Sequence, residues 1–272
     1  MSFLLFQSSL LLYFLATVTY LIFFFTQKAA FRTVARALFL GAFSLHTLTF
    51  IARYVEGGYT PITTSHETFS FFAWALACSY LSFCYRYQVK NLGVFVSLPA
   101  LALMVMAAIS PRNLATLAPA LQSGWLPVHA SLSILAYAFF VLAGVGGVMY
   151  LLQERTIKRK HFGLFYSRLP SLETLDRLNQ HCLSIGFTLL TLGMITGSLW
   201  AKQALGAYWH WDPKETWTLI TWLLYAALIH QRFTQGWRGR QAAILSIVAL
   251  LVALFTFWGV SLFFTGYHGS FS

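Results

Sequence analysis

The chain alternates between long apolar runs and short polar stretches along its whole length. The runs are continuously apolar, and about 20 such residues let a helix cross the hydrocarbon core of a bilayer. A β-barrel would instead alternate every second residue. The sequence therefore predicts an all-α, polytopic integral membrane protein that forms a single membrane domain over residues 1–272. The pattern predicts eight spans, at residues 3–25, 37–54, 68–86, 92–110, 129–152, 181–200, 215–231 and 242–264.

The polar stretches differ in charge between the two predicted sides of the membrane. The loops at 26–36, 86–91, 153–180 and 231–241 would share one side and hold 14 Lys and Arg residues, against four on the opposite side. Because cytoplasmic loops carry an excess of Lys and Arg, we expect the first set in the cytoplasm and both termini to be extracytoplasmic. The loop 153–180 contains SLETLDRLN, whose leucines recur every three residues and predict a short amphipathic surface helix.

The composition supports a membrane protein and argues against a nucleic-acid partner. Hydrophobic residues make up 58% of the chain and charged residues 9%, whereas a soluble domain has about 25% charged residues. The net charge of +11 is spread over loops between spans, which is the pattern that sets topology. The three cysteines lie in apolar runs without a CxxC pair, so neither a disulfide framework nor a thiol relay is predicted.

The stretch GAYWHWDPKETW, residues 206–217, separates the sixth and seventh runs. Its DPKE portion indicates a helix start, with Asp212 as cap, Pro213 at the first helical position and Glu215 three residues after the cap. Aromatic residues are common at membrane interfaces, but their density here favours a platform for a flat hydrophobic ligand. Six aromatic residues fall within 23 positions: Trp200, Tyr208, Trp209, Trp211, Trp217 and Trp222.

Two histidines flank this stretch on the predicted outer face: His129 begins the fifth run, and His268 follows the eighth. Two axial imidazoles with aromatic walls suit a flat, iron-centred macrocycle, whereas zinc needs three or four N or S ligands at close spacing. His230 ends the seventh run, about 22 Å along the helix from Glu215, and an ionisable residue within a span is a candidate functional residue.

The remaining histidines are weaker candidates for iron ligands. We interpret His46, His66, His161 and His181 as structural, and the role of His210, inside the aromatic stretch, stays open.

The stretch WAKQALGAYWHWDPKETWTLITW resembles the tryptophan-rich WWD domain of haem-handling proteins, and DPKETW is similar to the CcsA/ResC family of System II cytochrome c biogenesis. The resemblance covers about residues 55–272. His66 stands where the family usually has an aromatic residue, and Gly269 follows His268 where it usually has serine. Further matching segments are PITTSHETFSFFAW, LQSGWLPVHASLSILAYA, SLETLDRLNQHCLSIGFTLLTLGMITGSLW, LIHQR and GYHGSF.

The resemblance implies that haem b is held on the extracytoplasmic WWD segment, residues 200–217, with His129 and His268 as axial iron ligands. His230 would ligate the iron of a second haem within the membrane. The other residues implied in haem binding are Tyr208, Trp209, Trp211, Asp212 and Trp217.

The resemblance also implies partners and a location. A ResB/CcsB-like membrane protein would be a separate subunit, and apocytochrome c would dock through its CxxCH segment, with thioredoxin-like reducing factors as further partners. The chain would lie in the inner (plasma) membrane, move haem to the extracytoplasmic face and present it for thioether attachment. It would thus be a subunit of a holocytochrome c synthase in which no residue of this chain forms a covalent intermediate.

Three alternatives stay open at this point. The first is a haem exporter or chaperone without synthase chemistry. The second is a HemX-type membrane regulator, which would be expected to lack the full aromatic motif and the outer histidine pair. The third is a small-molecule transporter with an aromatic gate, which the lack of a broken-helix repeat pair disfavours.

Overall fold

The computed structural model describes residues 1–86, 89, 91–112, 122–160 and 163–264. Every regular element within these ranges is helical, which confirms the predicted all-α class. The elements in chain order are α1 (Ser2–Thr26), α2 (Ala29–Gly57), α3 (Ser65–Arg86), α4 (Leu92–Ile109), α5 (Trp125–Lys158), α6 (Leu164–Arg168), α7 (Leu172–Leu205), α8 (Pro213–Thr234), α9 (Arg240–Leu254), a π-helical turn (Phe255–Gly259) and α10 (Val260–Phe263).

The helices agree with a polytopic membrane protein. Six helical segments in the described ranges are long and apolar enough to cross a membrane: α1, α2, α4, α5, α7 and the continuous stretch Arg240–Phe263. The predicted spans at 68–86 and 215–231 are also helical, as α3 and α8, but these two helices are not among the six. The count of eight crossings and the side of the termini stay predictions.

The stretch predicted as a short surface helix is part of a much longer one. Ser171 caps α7 by accepting a hydrogen bond from the backbone N–H of Thr174, and the helix continues for 34 residues. Leu175, Leu178 and Cys182 are all buried. Their spacing of three and four residues makes one stripe that runs from the predicted surface helix into the predicted span, so packing favours a single helix. The loop at 153–180 is correspondingly shorter, because α5 extends to Lys158.

The helices group into two compact units, and the expected single membrane domain stays a prediction. The first unit holds α1–α4 and α6, and the second holds α5 and α7–α10. In the first unit, α1 packs against α2 and α4, and α3 packs against α4. Edge-to-face contacts join Phe39 to Tyr13 and Tyr80, each at 5.2 Å between ring centroids, so aromatic rings fill the centre of this unit.

The second unit is built on α5 and α7, which run antiparallel along most of their length. Gly186 allows their close approach, because a Cβ at this position would lie 2.6 Å from the ring of Phe140. The ring of Phe140 also stacks on Tyr225 of α8, with 3.6 Å between the centroids. The π-helical turn packs on α8, where the hydroxyls of Thr221 and Thr256 lie 2.7 Å apart. This packing brings the start of α5 beside the end of α7.

Candidate functional site

One end of the second unit collects most of the residues that the sequence singles out. The Ser123 hydroxyl donates to Gln203 Oε1 at 2.6 Å, which joins the start of α5 to the end of α7. Lys214 Nζ lies 3.4 Å from Ser261 Oγ, which joins the start of α8 to α10. We call this region, residues 123–133, 193–217 and 255–264, the aromatic end. His268 follows Phe264 by four positions and lies outside the described residues, so its predicted role stays a prediction.

The helix start predicted for DPKE is confirmed. Asp212 is the cap of α8, its Oδ1 accepts from the backbone N–H of Lys214 at 2.7 Å, and Pro213 occupies the first helical position. Glu215 departs from the capping-box arrangement, in which it would bond the backbone of the cap residue. Its Oε2 instead accepts from the backbone N–H of His210 at 2.8 Å, and its Oε1 lies 3.8 Å from His210 Nδ1. Glu215 therefore fastens the loop that precedes the helix.

This loop displays two aromatic rings. Tyr208 is 57% exposed and Trp211 is 70% exposed, while Trp209 is half-buried and meets Trp211 edge to face at 5.7 Å between centroids. Trp211 has a φ of 56°, a left-handed conformation that is rare for a bulky residue and costs about 1–3 kcal/mol unless the surroundings hold it. The Asp212 cap and the bond from His210 to Glu215 flank this turn.

The other aromatic residues of the predicted platform serve mainly as anchors. Trp200 is 2% exposed, and Trp222 donates from Nε1 to Thr191 Oγ1 at 2.9 Å. Trp217 is half-buried and packs edge to face on Phe255 of the π-helical turn at 4.7 Å. The backbone carbonyl of Trp217 accepts from the hydroxyl of Thr221 at 2.8 Å. The sequence could not separate displayed rings from anchoring rings, because that division depends on how α8 packs.

His129 lies in the second turn of α5 and is held against α7. Its Nδ1 lies 2.7 Å from the carbonyl oxygen of Gly193, and its ring is within 4° of parallel to Trp200 at 6.4 Å between centroids. A carbonyl oxygen can only accept a hydrogen bond, so Nδ1 carries a proton, and in the neutral ring the lone pair is on Nε2. The structure thus sets both the tautomer and the plane of this imidazole.

A glycine on α7 that is not among the predicted site residues makes room for that ring. A Cβ at Gly197 would lie 2.6 Å from both Cε1 and Nδ1 of His129. Gly193, one turn earlier, supplies the carbonyl that orients the imidazole. The signal was present as the G-x-x-x-G spacing in GMITG, which marks close helix approach in membranes.

His230 lies at the opposite end of the second unit. It is exposed on the last turns of α8. Two residues later Arg232 pairs with Asp176 near the start of α7, at 2.6 Å between Nη2 and Oδ2. His230 is therefore separated from the aromatic end by most of the length of α8, as the sequence predicts.

At the aromatic end, the pKa of Lys214 departs from the ordinary value for lysine. Burial lowers the pKa of Lys214, and the neighbouring charge of Asp212 opposes that shift. A further carboxylate close to Nζ would raise the pKa of Lys214 again.

Three of the four histidines interpreted as structural have described hydrogen bonds. In the first unit His46 Nε2 pairs with Ser70 Oγ at 2.8 Å, and His66 Nδ1 donates to the carbonyl of Ala107 at 2.7 Å. In the second unit His181 Nδ1 donates to the carbonyl of Arg177 at 2.8 Å. His161 lies outside the described residues.

The role of Asp212 as the cap of α8 predicts different stabilities for its alanine and asparagine variants. Asp212→Ala is expected to destabilise the protein by about 1 kcal/mol, whereas Asp212→Asn should retain stability because asparagine caps equally well. Thermal unfolding of the detergent-solubilised protein measures this. An equal loss for both variants would mean that the charge, and not the cap, is the stabilising feature.

Fold and site together define a polytopic helical membrane protein that displays a tryptophan-rich loop beside a histidine oriented by a neighbouring helix. A sequence model of the family described as "Cytochrome C assembly protein" matches residues 62–268. The chain is 35% identical over 243 residues to the cytochrome c biogenesis protein CcsA of Guillardia theta, covering 82% of this chain and 81% of that one. It is 34% identical over 256 residues to CcsA of Thermosynechococcus vestitus, covering 80% of each.

A solved structure shares the fold. The chain titled "Cytochrome c Heme Lyase CcmF" superposes with a TM-score of 0.69 at 19% identity. The match covers 99% of this chain and 48% of that one, so this chain spans about half the length of that neighbour. The chain belongs to the cytochrome c assembly family, within its CcsA members, and its function lies in cytochrome c biogenesis.

Proposed function

We propose that the chain binds haem b at its aromatic end and presents it for thioether attachment to the CxxCH segment of apocytochrome c. His129 and His268 would ligate the iron, and Tyr208, Trp209 and Trp211 would contact the porphyrin. The observation that carries this proposal is the hydrogen bond from His129 Nδ1 to the carbonyl of Gly193, beside the exposed rings of the loop. A ResB/CcsB-like membrane protein would be the separate partner subunit.

The tautomer of His129 suits an iron ligand. A histidine that ligates a metal usually donates its second ring N–H to a carbonyl or carboxylate, which fixes the ring and makes the ligating nitrogen more basic. His129 has this arrangement through Gly193. The space above Gly197 allows the ring of His129 to stay parallel to Trp200. The ring would therefore lose little conformational freedom when haem binds.

The displayed rings suit a flat apolar ligand. Covering about 100 Å² of apolar surface on each of Tyr208 and Trp211 would contribute about 2.5 kcal/mol per ring. Trp209 Nε1 is buried and has no hydrogen-bond partner among the described residues, so an acceptor on the ligand would satisfy it. Lys214, whose pKa is lowered by burial, would gain from a ligand carboxylate such as a propionate.

In this proposal the protein acts mainly by positioning. Bound haem would supply the vinyl groups to which the two thiols of CxxCH add, and the histidine of CxxCH would replace one of the two imidazoles. Holding both reactants at one surface makes their encounter effectively unimolecular. Asp212 and Glu215 would contribute by fixing the loop through the α8 cap and the His210 backbone.

The direct test is reconstitution. We expect the chain, co-produced with a ResB-like partner and purified in detergent, to show a Soret band and to convert an added apocytochrome c to a product with covalently attached haem. A complex that binds haem but forms no thioether with reduced apocytochrome would instead be a haem exporter or chaperone. A complex without a Soret band would contradict the proposal altogether.

His230 is proposed as a ligand to a second haem, within the membrane. His230→Gly is expected to remove about half of the haem of the purified complex and to leave the spectrum of the aromatic end in place, because most of α8 separates the two sites. His181→Gly is the matched control, since it removes an imidazole from α7 near the same end of the unit. Unchanged haem content in His230→Gly would show that His230 is not a ligand.

A further inference from the structure

The first unit contains a cavity of about 210 Å³ that the proposed function does not use. Its lining comes from one end of the unit: Phe3 and Phe6 near the start of α1, Phe50 and Arg53 near the end of α2, His66 at the start of α3, and Arg112 just beyond α4. The family match begins at residue 62, so the contributions of α1 and α2 lie outside it. The lining thus combines residues from outside the family match with residues of α3 and with Arg112, just beyond α4, that lie inside it.

The charged groups around the cavity leave one cation in excess. Arg53 Nε donates to Glu67 Oε1 at 2.9 Å, and Glu67 is 2% exposed. This ion pair balances the charge of the carboxylate. Hydrogen bonds from Tyr59, Thr63 and Thr64 occupy its remaining acceptor positions.

Arg112 is the second cation. Its guanidinium carbon lies 4.7 Å from the ring centroid of Phe3, and Nη2 donates to the carbonyl of Ala108. Among the residues that the structure describes, no carboxylate pairs with Arg112. A guanidinium has five donors in a planar fork that matches carboxylate or phosphate oxygens, so an anion would complete its environment.

The size and depth of the cavity restrict the ligand. Pockets for whole small molecules are commonly about 300–1,000 Å³, so this cavity fits a head group with the first part of an apolar chain, and not a porphyrin. It lies where four helices of the unit begin or end. Helix ends mark the membrane–water interface, the depth at which lipid head groups lie.

We propose that this cavity binds the anionic head of a membrane amphiphile, a phosphate or carboxylate attached to an apolar chain. Arg112 would contact the anion, and the rings of Phe3, Phe6 and Phe50 would surround the start of the apolar chain. His66 donates from Nδ1 to Ala107, so its Nε2 can only accept. That arrangement favours a head with a hydroxyl group, such as phosphoglycerol, over one with choline.

The test uses the full-length chain, delipidated in detergent and titrated with defined lipids under native mass spectrometry. We expect phosphatidylglycerol to bind about tenfold more tightly than phosphatidylcholine of the same acyl chains, because no choline cation offsets the attraction of its phosphate to Arg112 and its head group offers hydroxyls to His66 Nε2. Arg112→Gln should abolish that preference. Arg32→Gln, which removes the same charge from the exposed, opposite end of α2, should leave it unchanged.

Two further measurements identify the chemical source of the anion and distinguish binding in the cavity from binding on the protein surface. A long-chain fatty acid that competes with phosphatidylglycerol would support the proposal and identify a carboxylate, whereas glycerol 3-phosphate binding as tightly as the lipid would overturn it. Thr49→Leu narrows the cavity without a change of charge and should weaken phosphatidylglycerol binding. Equal binding of the two phospholipids to the unmodified chain, or an unchanged preference in Arg112→Gln, would also overturn it.

Discussion

Cytochrome c maturation is expected to fall to background when His129 is replaced by glycine, and the purified complex is expected to lose or shift its Soret band. The imidazole is an axial ligand in the proposed site, and its orientation is set by the hydrogen bond from Nδ1 to the carbonyl of Gly193. Haem staining of the cytochromes c and absorption spectra of the complex measure the two effects. His181→Gly, which removes another histidine of the same unit, should mature cytochromes normally.

A second variant tests the orientation of His129 separately from its presence. Gly197→Ala keeps the imidazole but places a methyl group 2.6 Å from Cε1 and Nδ1 of its ring. Because loss of groups that orient a ligand costs about 10–100-fold in affinity, we expect weaker haem binding and a shifted spectrum with the complex still assembled. Ser198→Ala, at the next position, is the control. A normal haem spectrum in both His129→Gly and Gly197→Ala would exclude His129 as a ligand.

Glu67→Ala is expected to produce the largest loss of stability, about 3–5 kcal/mol, because it removes one partner of a buried ion pair. Arg53 is half-buried at this pair and would keep its charge. The variant also leaves the donors of Thr63 and Thr64 without their acceptor. A reduced apparent melting temperature of the detergent-solubilised protein, and reduced amounts in the membrane, would report the effect.

The double variant Arg53→Met, Glu67→Met is the control for this prediction. Removing both charges together avoids an uncompensated buried ion, and such replacements are often close to neutral. We therefore expect the double variant to be more stable than Glu67→Ala. If the double variant loses as much stability as Glu67→Ala, the hydrogen bonds of the carboxylate to residues 59–64, and not its charge, stabilise the first unit.

The helical architecture could be predicted because lipid requires every backbone group to be satisfied within its own segment. Each predicted span coincides with a described helix. The start of α8 was also predictable, since Asp212 and Pro213 act through local geometry. The continuation of the 171–179 stretch into α7 was not, because it depends on the burial of Leu175, Leu178 and Cys182.

The candidate site was predictable in its residue types and less so in their roles. The clustering of aromatic residues pointed to residues 206–217, but which rings are displayed follows from the turn at Trp211 and from the packing of Trp217 on Phe255. The acceptor for His129 is a backbone carbonyl. Since every residue has one, the sequence does not indicate which carbonyl accepts. The shared end of α5 and α7 became evident only from their antiparallel packing.

The π-helical turn at Phe255–Gly259 changes which face α10 presents. Such a turn amounts to one extra residue in an α-helix, and one residue corresponds to about 100° of rotation. α9 can therefore keep the stripe that packs on α5, while α10 presents a face rotated by roughly a quarter of a circle. The turn thus rotates the side chains of α10 about the helix axis relative to those of α9. The residues that pack in the core and the residues that face the surface can therefore be selected independently within one continuous helix.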